Sequence, residues 1–354
     1  MGLPNLSIVF KTQAAATIAQ NGRGVVGVMV RDTTATGGYT LTESKEIPAG
    51  LGEDNQKYIS NAMIGYIDRP RKVLLYVLST EAEDLSGALD WFDANVPDYL
   101  VGPPDTSSEE ADAIVDWVKA RRQENLIPKA VLPNKAADNE AIINFTTEEI
   151  LAGGKTYTTA QYCSRMAGLI AGTPLNIACT NAPLTEVEKV KALGREAMDE
   201  AIDAGQLIIW FDGQKVKVGR GVNSFQTTTA DKSAIFKKIK IVELVDLIQR
   251  DIRIAVEDGY IGKYPNTYDN KLLLISAILG YFKELEADDL LMRDASTVDI
   301  DVAAQTTYLQ SQGVDVSAMD EMAIRKANTQ DQVFLTASIS VLDAIEDIKL
   351  VINL

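Results

Sequence analysis

Apolar and polar residues alternate with a period of two in three segments near the ends of the chain. That spacing predicts half-buried β-strands. The apolar positions are Leu6, Ile8 and Phe10, then Leu335, Ala337, Ile339 and Val341, and finally Ile348, Leu350, Ile352 and Leu354. Unpaired apolar strands recruit other chains, and Lys349 is the only charged residue after Asp347. We therefore expect these strands to be given to neighbouring copies, so that the chain forms a polymer.

Between residues 25 and 145, β-prone runs alternate with helical stretches. The predicted strands are Val25–Arg31, Val73–Leu78, Tyr99–Val101, Ala130–Leu132 and Ala141–Asn144. The predicted helices are Tyr58–Ile67, Glu81–Asn95 and Ser107–Asn125. Ser107 and Glu110 are spaced as a capping box for the third helix. This alternation predicts a mixed α/β fold with a largely parallel sheet.

Helical spacing dominates the second half of the chain. The predicted helices are Thr158–Ile170, Thr185–Ala204, Ile241–Val256 and Asn270–Glu286. Asp212 and Gly213 are typical of a turn, which predicts a hairpin between Leu207–Phe211 and Lys215–Val218. A strand at Thr297–Val302, short helices and a terminal hairpin complete the prediction.

Composition and charge exclude several classes of function. The chain has 354 residues, of which 46% are hydrophobic and 24% charged, as in ordinary soluble proteins. Its net charge of −16 argues against nucleic-acid binding, which needs clustered Lys and Arg. The chain contains no histidine, which excludes histidine-based nucleophile systems and His-ligated zinc. We also expect no membrane insertion, no signal peptide and a reduced cytoplasmic environment for Cys163 and Cys179.

Two glycine-containing segments resemble nucleotide-binding motifs. Gly22, Gly24 and Gly27 fit G-x-G-x-x-G, but the residues before them are not strand-like and those after them are β-prone. Residues 153–156 read G-G-K-T, but Glu149 stands where a phosphate-binding loop has its first glycine. A turn is therefore the better interpretation of residues 153–156. We predict no cofactor, no metal site and no catalytic residue.

The densest basic patch in the C-terminal half comprises Lys237, Lys238 and Lys240. One interpretation is a solvated face of the subunit. The other is electrostatic docking onto an acidic protein partner. The sequence leaves both open.

Three segments together resemble the contractile tail sheath proteins of myophages and of R-type phage-tail-like bacteriocins. They are Ala167–Asn181 (AGLIAGTPLNIACTN), Gly221–Thr228 (GVNSFQTT), and Lys237–Asn266, which runs from KKIKIVELVDLIQRDIR to YIGKYPN. The resemblance covers roughly the whole chain, and it is strongest to the compact sheaths of Gram-positive prophages.

This resemblance implies a structural protein that stacks as six-fold rings around an inner tube. A metastable extended sheath contracts and drives the tube through a cell envelope. Terminal strands exchanged between subunits hold the lattice, a role that falls on the eleven alternating apolar residues named above. The tube-facing role falls on Lys237, Lys238 and Lys240, or on the helical stretch Met319–Ala327 that carries Arg325 and Lys326.

The resemblance also implies a domain order and a set of partners. We expect an N-terminal strand arm at 1–20, an outer α/β domain at 21–220, an inner domain at 221–330 and a C-terminal strand arm at 331–354. The expected partners are other copies of the chain, a tail tube protein, and baseplate and terminator proteins. Assembly is expected in the bacterial cytoplasm, in a phage tail or in a headless tailocin.

Two alternatives remain open from the sequence. One is an α/β enzyme that uses a nucleotide or a pair of carboxylates, supported by the glycines at 22–27. The other is a non-contractile shell or filament protein, which would share the terminal strands but form a single unchanging lattice.

Overall fold

The computed structural model describes residues 23–353, so Leu6, Ile8, Phe10, Gly22 and Leu354 lie outside the described residues. The described chain forms two compact units. The first unit contains residues 23–246 and 344–353, and the second contains residues 247–343.

The first unit is an α/β layer structure. Its elements are β1 (Val25–Asp32), β2 (Gly37–Leu41), α1 (Glu53–Ala62), β3 (Lys72–Ser79), α2 (Ser86–Ala94), β4 (Tyr99–Val101), α3 (Ser108–Gln123), β5 (Lys129–Pro133), β6 (Ile142–Phe145), β7 (Ile150–Ala152), β8 (Lys155–Tyr157), α4 (Thr159–Ala171), β9 (Val187–Lys189), α5 (Arg195–Asp203), β10 (Gln206–Leu207), β11 (Ile209–Phe211), β12 (Val216–Val218) and the start of α6 (Ile239–Gly259). Seven strands form one sheet in the order β10-β6-β5-β4-β1-β3-β2. All neighbouring strands in it are parallel except β2, which runs antiparallel to β3. The predicted fold class is confirmed.

The central strand β1 shows why this sheet is buried on both sides. Val26, Val28 and Val30 pack into one core with α1 and α4. Val25 and Met29 point to the opposite core with α2 and α3. A strand covered on both faces reads as a continuous apolar run rather than an alternating one, which explains the sequence VVGVMV.

Two helices of this layer begin at caps that the sequence encodes locally. The Ser107 hydroxyl accepts a hydrogen bond from the Glu110 amide, and the Glu110 carboxylate accepts one from the Ser107 amide, which confirms the predicted capping box. Thr158 and Gln161 form the same reciprocal pair at the start of α4. Each cap satisfies amides that a helix start leaves without partners.

The prediction of one long helix at Thr185–Ala204 is wrong. Residues 187–189 form strand β9, which pairs antiparallel with β7, and only Arg195–Asp203 is helical. Val187 and Val190 satisfy the helical spacing, but both are buried by tertiary packing. The β-branched Val187 suits the strand, and Gly194 is the N-cap of the short helix.

The second unit is built mainly of helices. Its elements are the remainder of α6, α7 (Tyr268–Ala287), β13 (Thr297–Ile300), α8 (Val302–Ser311), α9 (Glu321–Lys326) and β14 (Leu335–Ser338). β13 and β14 pair antiparallel, with Ile300 opposite Leu335. The prediction of a terminal hairpin is therefore wrong. Within the described residues, β14 pairs with β13, which precedes it in the chain, and not with the residues that follow it. Lys271 of α7 is buried in this unit and donates to Gln305 Oε1 at 3.2 Å.

Candidate functional site

The last described residues form an exposed apolar segment. We call residues 348–353 the C-terminal arm. In the subunit, Ile348 is 81% exposed, Leu350 78% and Ile352 73%. No strand pairing is assigned to the arm within the described chain. Val351 is also exposed, so four of the six residues of the arm place apolar side chains in water, which is unfavourable.

The residue two positions before the arm is, by contrast, held firmly in the first unit. The Glu346 side chain is 6% exposed. Its carboxylate accepts hydrogen bonds from the Thr180 hydroxyl at 2.5 Å and from Lys238 Nζ at 2.9 Å. Arg220 Nε lies 3.7 Å from the same carboxylate. Glu346 is thus the fixed root from which the exposed arm extends.

Three of the four upstream residues predicted to be exchanged have pairing partners within the second unit. Leu335 and Ala337 lie in β14 opposite β13. Further along, Val341 forms a bridge with Leu291, and the Ser340 carbonyl accepts a hydrogen bond from the Met292 amide. Within the single subunit, the backbone of residues 335–338 and 340–342 is paired inside the second unit, and exchange of Leu335–Val341 between subunits stays a prediction.

The basic patch is partly buried within the subunit. Lys240 is buried, at 6% exposure. Lys238 pairs with Glu346, and Lys237 donates to Gln226 Oε1 at 3.0 Å. Lys238 and Lys240 thus contribute to the ion pairs and packing of the first unit, and the tube-facing role of the three lysines stays a prediction.

Arg325 and Lys326, the other residues predicted to face the tube, lie in α9 of the second unit, next to β13. Arg325 of α9 donates to both carboxylate oxygens of Asp299 in β13, at 2.5 and 2.7 Å, and also to Glu321. The hydrogen bonds to Asp299 raise the pKa of Arg325 above its ordinary value. Lys326 is exposed, with its Nζ 5.6 Å from the centre of the Tyr268 ring. Arg325 therefore holds α9 against β13, while the Lys326 side chain is exposed.

A buried charge cluster that no sequence motif predicted lies where α6 begins. Glu243 accepts from Arg23 Nε at 2.7 Å, from Lys129 Nζ at 2.9 Å and from the Tyr99 hydroxyl. One turn further along α6, the Asp246 carboxylate accepts hydrogen bonds from Lys129 Nζ at 3.1 Å and from both terminal nitrogens of Arg122 at 2.8 and 2.9 Å. We call these six residues the α6 charge cluster.

Burial and charge act in opposite directions on the carboxyl group of Glu243. Burial raises its pKa, but the positive charges of Lys129 and Arg23 outweigh burial and hold the pKa below its ordinary value of 4.5. The group is therefore ionised at neutral pH, and its charge is compensated by side chains from two other parts of the first unit. The available signal in the sequence was a pair of acids, Glu243 and Asp246, three residues apart within an otherwise apolar helical face.

The two described glycines of the motif, Gly24 and Gly27, do not fit a dinucleotide fingerprint. Gly24 precedes β1 and Gly27 lies inside it, whereas the fingerprint needs its glycines after a strand. A Cβ at Gly27 would stand 2.8–2.9 Å from side-chain atoms of Pro97, Leu100 and Phe92, so this glycine allows close packing of the sheet. Residues 153 and 154 form the turn between β7 and β8, as predicted, with positive φ angles at both glycines.

A crevice of about 730 Å³ lies beside the loops after β4 and β5 and the start of α4, where open α/β sheets commonly bind ligands. Its lining includes Glu148 and Glu149, whose charges oppose a phosphate. Within residues 23–353, no group of three potential metal-ligating side chains is found. The helices described for this chain include none that combines the length and apolar character needed to cross a bilayer.

Comparison with known proteins identifies the family. Residues 79–224 match the phage tail sheath protein central domain, and residues 231–354 match the phage tail sheath C-terminal domain. A tail sheath protein of Clostridium phage phiCD119 is 39% identical over 358 residues, which cover 99% of this chain and 98% of the relative.

Solved structures show the same fold at low sequence identity. The sheath tail protein of Listeria innocua has a TM-score of 0.69 at 16% identity, over 83% of this chain and 93% of that one. The helical sheath of the anti-feeding prophage in its contracted state has a TM-score of 0.69 at 15% identity, over 100% of this chain and 99% of that one. The chain belongs to the phage tail sheath protein family.

Proposed function

We propose that the chain is the structural subunit of a contractile tail sheath and that its C-terminal arm links neighbouring subunits. Stacked six-fold rings surround an inner tube, and contraction from a metastable extended state drives that tube through a cell envelope. The observation that carries this proposal is an exposed apolar arm on a rigidly held root. Contacts that do not close on themselves generate open helical assemblies, as a sheath requires.

The two-stranded sheet of the second unit is the proposed receiving site for arms from neighbouring copies. A pair of strands is marginally stable in isolation, and further strands increase its stability. β13 and β14 contain four residues each, and Thr336, Ala337 and Ser338 of β14 are exposed. An added strand would bury apolar arm residues and pair their backbone, which is the β-augmentation mode of recognition.

Hydrogen exchange of the arm amides tests strand addition directly. In unassembled subunits, the amides of residues 348–352 are expected to exchange rapidly, because the structure gives them no strand pairing. In polymerised sheath, the same amides are expected to exchange at least about a hundredfold more slowly, because strand hydrogen bonds must open first. Mass spectrometry of peptic fragments measures both states.

The amides of Ile143 and Asn144 in β6 provide the internal control, because they lie in the central sheet of the subunit in either state. Their exchange is expected to be slow before and after assembly. Arm amides that exchange equally fast in tubes and in free subunits would contradict strand addition.

Contraction itself distinguishes a sheath from a static filament. Energy stored in a kinetically trapped extended lattice needs neither a catalytic step nor a cofactor. Electron microscopy of the chain assembled on its tube, and of the chain alone, is expected to show two helical states of different diameter. A single lattice under all conditions would favour the non-contractile shell or filament.

The remaining partners follow from this role. We propose that the sheath contacts a tail tube protein, a baseplate and a terminator, and that it assembles in the bacterial cytoplasm before incorporation into a phage tail or tailocin. Lys326 is the candidate tube contact that the subunit leaves exposed. The acidic net charge of the chain supports a protein partner rather than nucleic acid.

A further inference from the structure

The chain changes abruptly from a fixed to an exposed path at the root of the C-terminal arm. Ile345 is 86% exposed and Ile348 81% exposed, yet the Glu346 side chain between them is 6% exposed. An acidic side chain buried between exposed apolar neighbours is the reverse of ordinary solvation, because burying a charge is costly unless it is paired. The position of the Glu346 side chain therefore depends on the groups that donate hydrogen bonds to its carboxylate.

Those groups supply two donated hydrogen bonds from different parts of the first unit. Thr180 lies in the loop after α4, and Lys238 directly precedes α6. The Thr180 hydroxyl donates to one carboxylate oxygen of Glu346 and Lys238 Nζ to the other. Thr180 is itself held, since its hydroxyl oxygen accepts from the Gly221 amide at 2.9 Å. The first unit thus builds the binding site for the Glu346 carboxylate, and the arm does not contribute to it.

The backbone around Thr180 and Lys238 is held by further hydrogen bonds, and we call residues 238–243 the platform. The Ile239 amide donates to the Gly221 carbonyl at 3.0 Å, and the Asn223 amide donates to the Lys237 carbonyl at 2.9 Å. Ile239 and Ile241 are buried in the first unit. Glu243, one turn further along α6, belongs to the α6 charge cluster and holds Arg23, where the described chain begins.

Asp347 is a weaker attachment than Glu346. It pairs with Arg220 at 2.7 Å, but its side chain is 80% exposed. Exposed ion pairs contribute little because water and salt screen them. The restraint on the arm therefore ends at Glu346, and the chain gains freedom from Asp347 onward.

We propose that Glu346 is a positioning residue that fixes the point and direction from which the arm leaves the subunit. This proposal rests on the proposed function, in which the arm crosses to a neighbour. A fixed root presents the arm within reach of the receiving sheet, and it confines the bending between linked subunits to residues 347 and 348. Force between subunits then passes from the arm through Glu346 into the platform at residues 238–243.

Side-chain mobility next to the root tests this proposal in the unassembled subunit. A nitroxide is attached to an introduced cysteine, Ile345→Cys, whose native side chain is exposed. Cys163 and Cys179 are buried, and burial raises the pKa of both thiols, that of Cys179 to about 12, so they are expected to stay unlabelled. Electron paramagnetic resonance then measures the populations of restrained and mobile label, which report whether the root at Glu346 is held.

Glu346→Gln is expected to raise the ratio of mobile to restrained label about tenfold, because it removes the negative charge that pairs with Lys238 and one of the two acceptor oxygens. Asp347→Asn is the matched control, since it removes the same charge one residue away and should leave the ratio nearly unchanged. Thr180→Val removes one donor without altering charge and should raise the ratio in the same direction. It also keeps the proposal testable if Glu346→Gln does not fold.

The assembly of the unlabelled variants completes the test. Glu346→Gln subunits are expected to form tubes more slowly than wild type, while Asp347→Asn subunits keep the wild-type rate. Unchanged label mobility in both Glu346→Gln and Thr180→Val would overturn the positioning role even if wild-type tubes form. Wild-type protein that forms no tubes would instead overturn the proposed function, whatever the label shows.

Discussion

A chain that ends at Asp347 is expected to fold as the full-length protein does and to form no tubes. The deleted residues 348–354 include Ile348, Leu350 and Ile352, each more than 70% exposed in the subunit. Side chains that bury no surface within the subunit contribute little to its stability. The unfolding temperature should therefore stay within about 2 °C of the wild-type value.

Loss of assembly is the large effect of this deletion. In the polymer, the arm would bury its apolar face and pair its backbone with a neighbouring sheet, so removing it breaks a link at every subunit. Sedimentation and negative-stain electron microscopy at high protein concentration measure the outcome. The truncated chain is expected to remain monomeric where the full chain forms wide hollow tubes.

A variant that keeps the arm but changes its opposite face controls for general effects of altering the terminus. In a strand, Lys349 and Asn353 face away from Ile348, Leu350 and Ile352. The double substitution Lys349→Ser with Asn353→Ser is expected to assemble. Normal tubes from the truncated chain would defeat the proposed role of the arm.

Local patterns were sufficient to predict most of the parallel sheet. The strands β1, β3 and β5 are continuous apolar runs, and the predictions at Val25–Arg31, Val73–Leu78 and Ala130–Leu132 each fall within the observed strand. The start of α3 was equally predictable, because the Ser107 capping box involves residues three positions apart. These features depend on neighbours in sequence, which pattern reasoning can detect.

Long-range pairing decided the features that the sequence did not reveal. Lys238 and Glu346 are 108 positions apart, and Lys129 and Glu243 are 114 apart. Lys238 therefore reads as part of a solvated or docking patch until the fold brings Glu346 to it. The same applies to β14, whose alternating pattern was recognised correctly as a strand but whose partner, β13, could not be identified from the pattern.

The predicted domain boundaries stay predictions. The sequence suggested a division at residues 220 and 221, whereas the compact units divide after Asp246, inside the continuous helix α6. A helix that passes from one unit to the next carries no glycine-rich or polar linker, which is the usual signal of a boundary in sequence.

Glu243→Gln is expected to destabilise the subunit by about 3–5 kcal/mol, the largest effect of a single substitution that we predict. Glu243 is 5% exposed and compensates Arg23 and Lys129, of which Lys129 is 3% exposed. Removing the acid leaves buried positive charge with less compensation, and an amide cannot accept all three donors equally well. Denaturant-induced unfolding of unassembled subunits measures the free-energy difference.

An ion pair with an exposed carboxylate provides the matched control. Arg121 and Glu124 lie 3.1 Å apart on the surface of α3 and the residue that follows it, and the Glu124 side chain is 54% exposed. Glu124→Gln is expected to change the free energy of unfolding by less than about 1 kcal/mol. Equal effects at Glu124 and Glu243 would show that the α6 charge cluster is not a stabilising unit.

The pH dependence of the same variants gives an independent check. Because the pKa of Glu243 is lower in the folded subunit than its ordinary value of 4.5, the unfolded chain binds a proton first as the pH falls. The stability from the ionised carboxylate is therefore fully present above about pH 4.5 and is lost progressively below it. Lys129, Arg23 and the Tyr99 hydroxyl face Glu243 and hold it ionised, so the wild-type protein should lose more stability on acidification than Glu243→Gln does. A difference between the two proteins that stays constant from pH 7 to pH 3 would show that the charge of Glu243 is not what stabilises the start of α6.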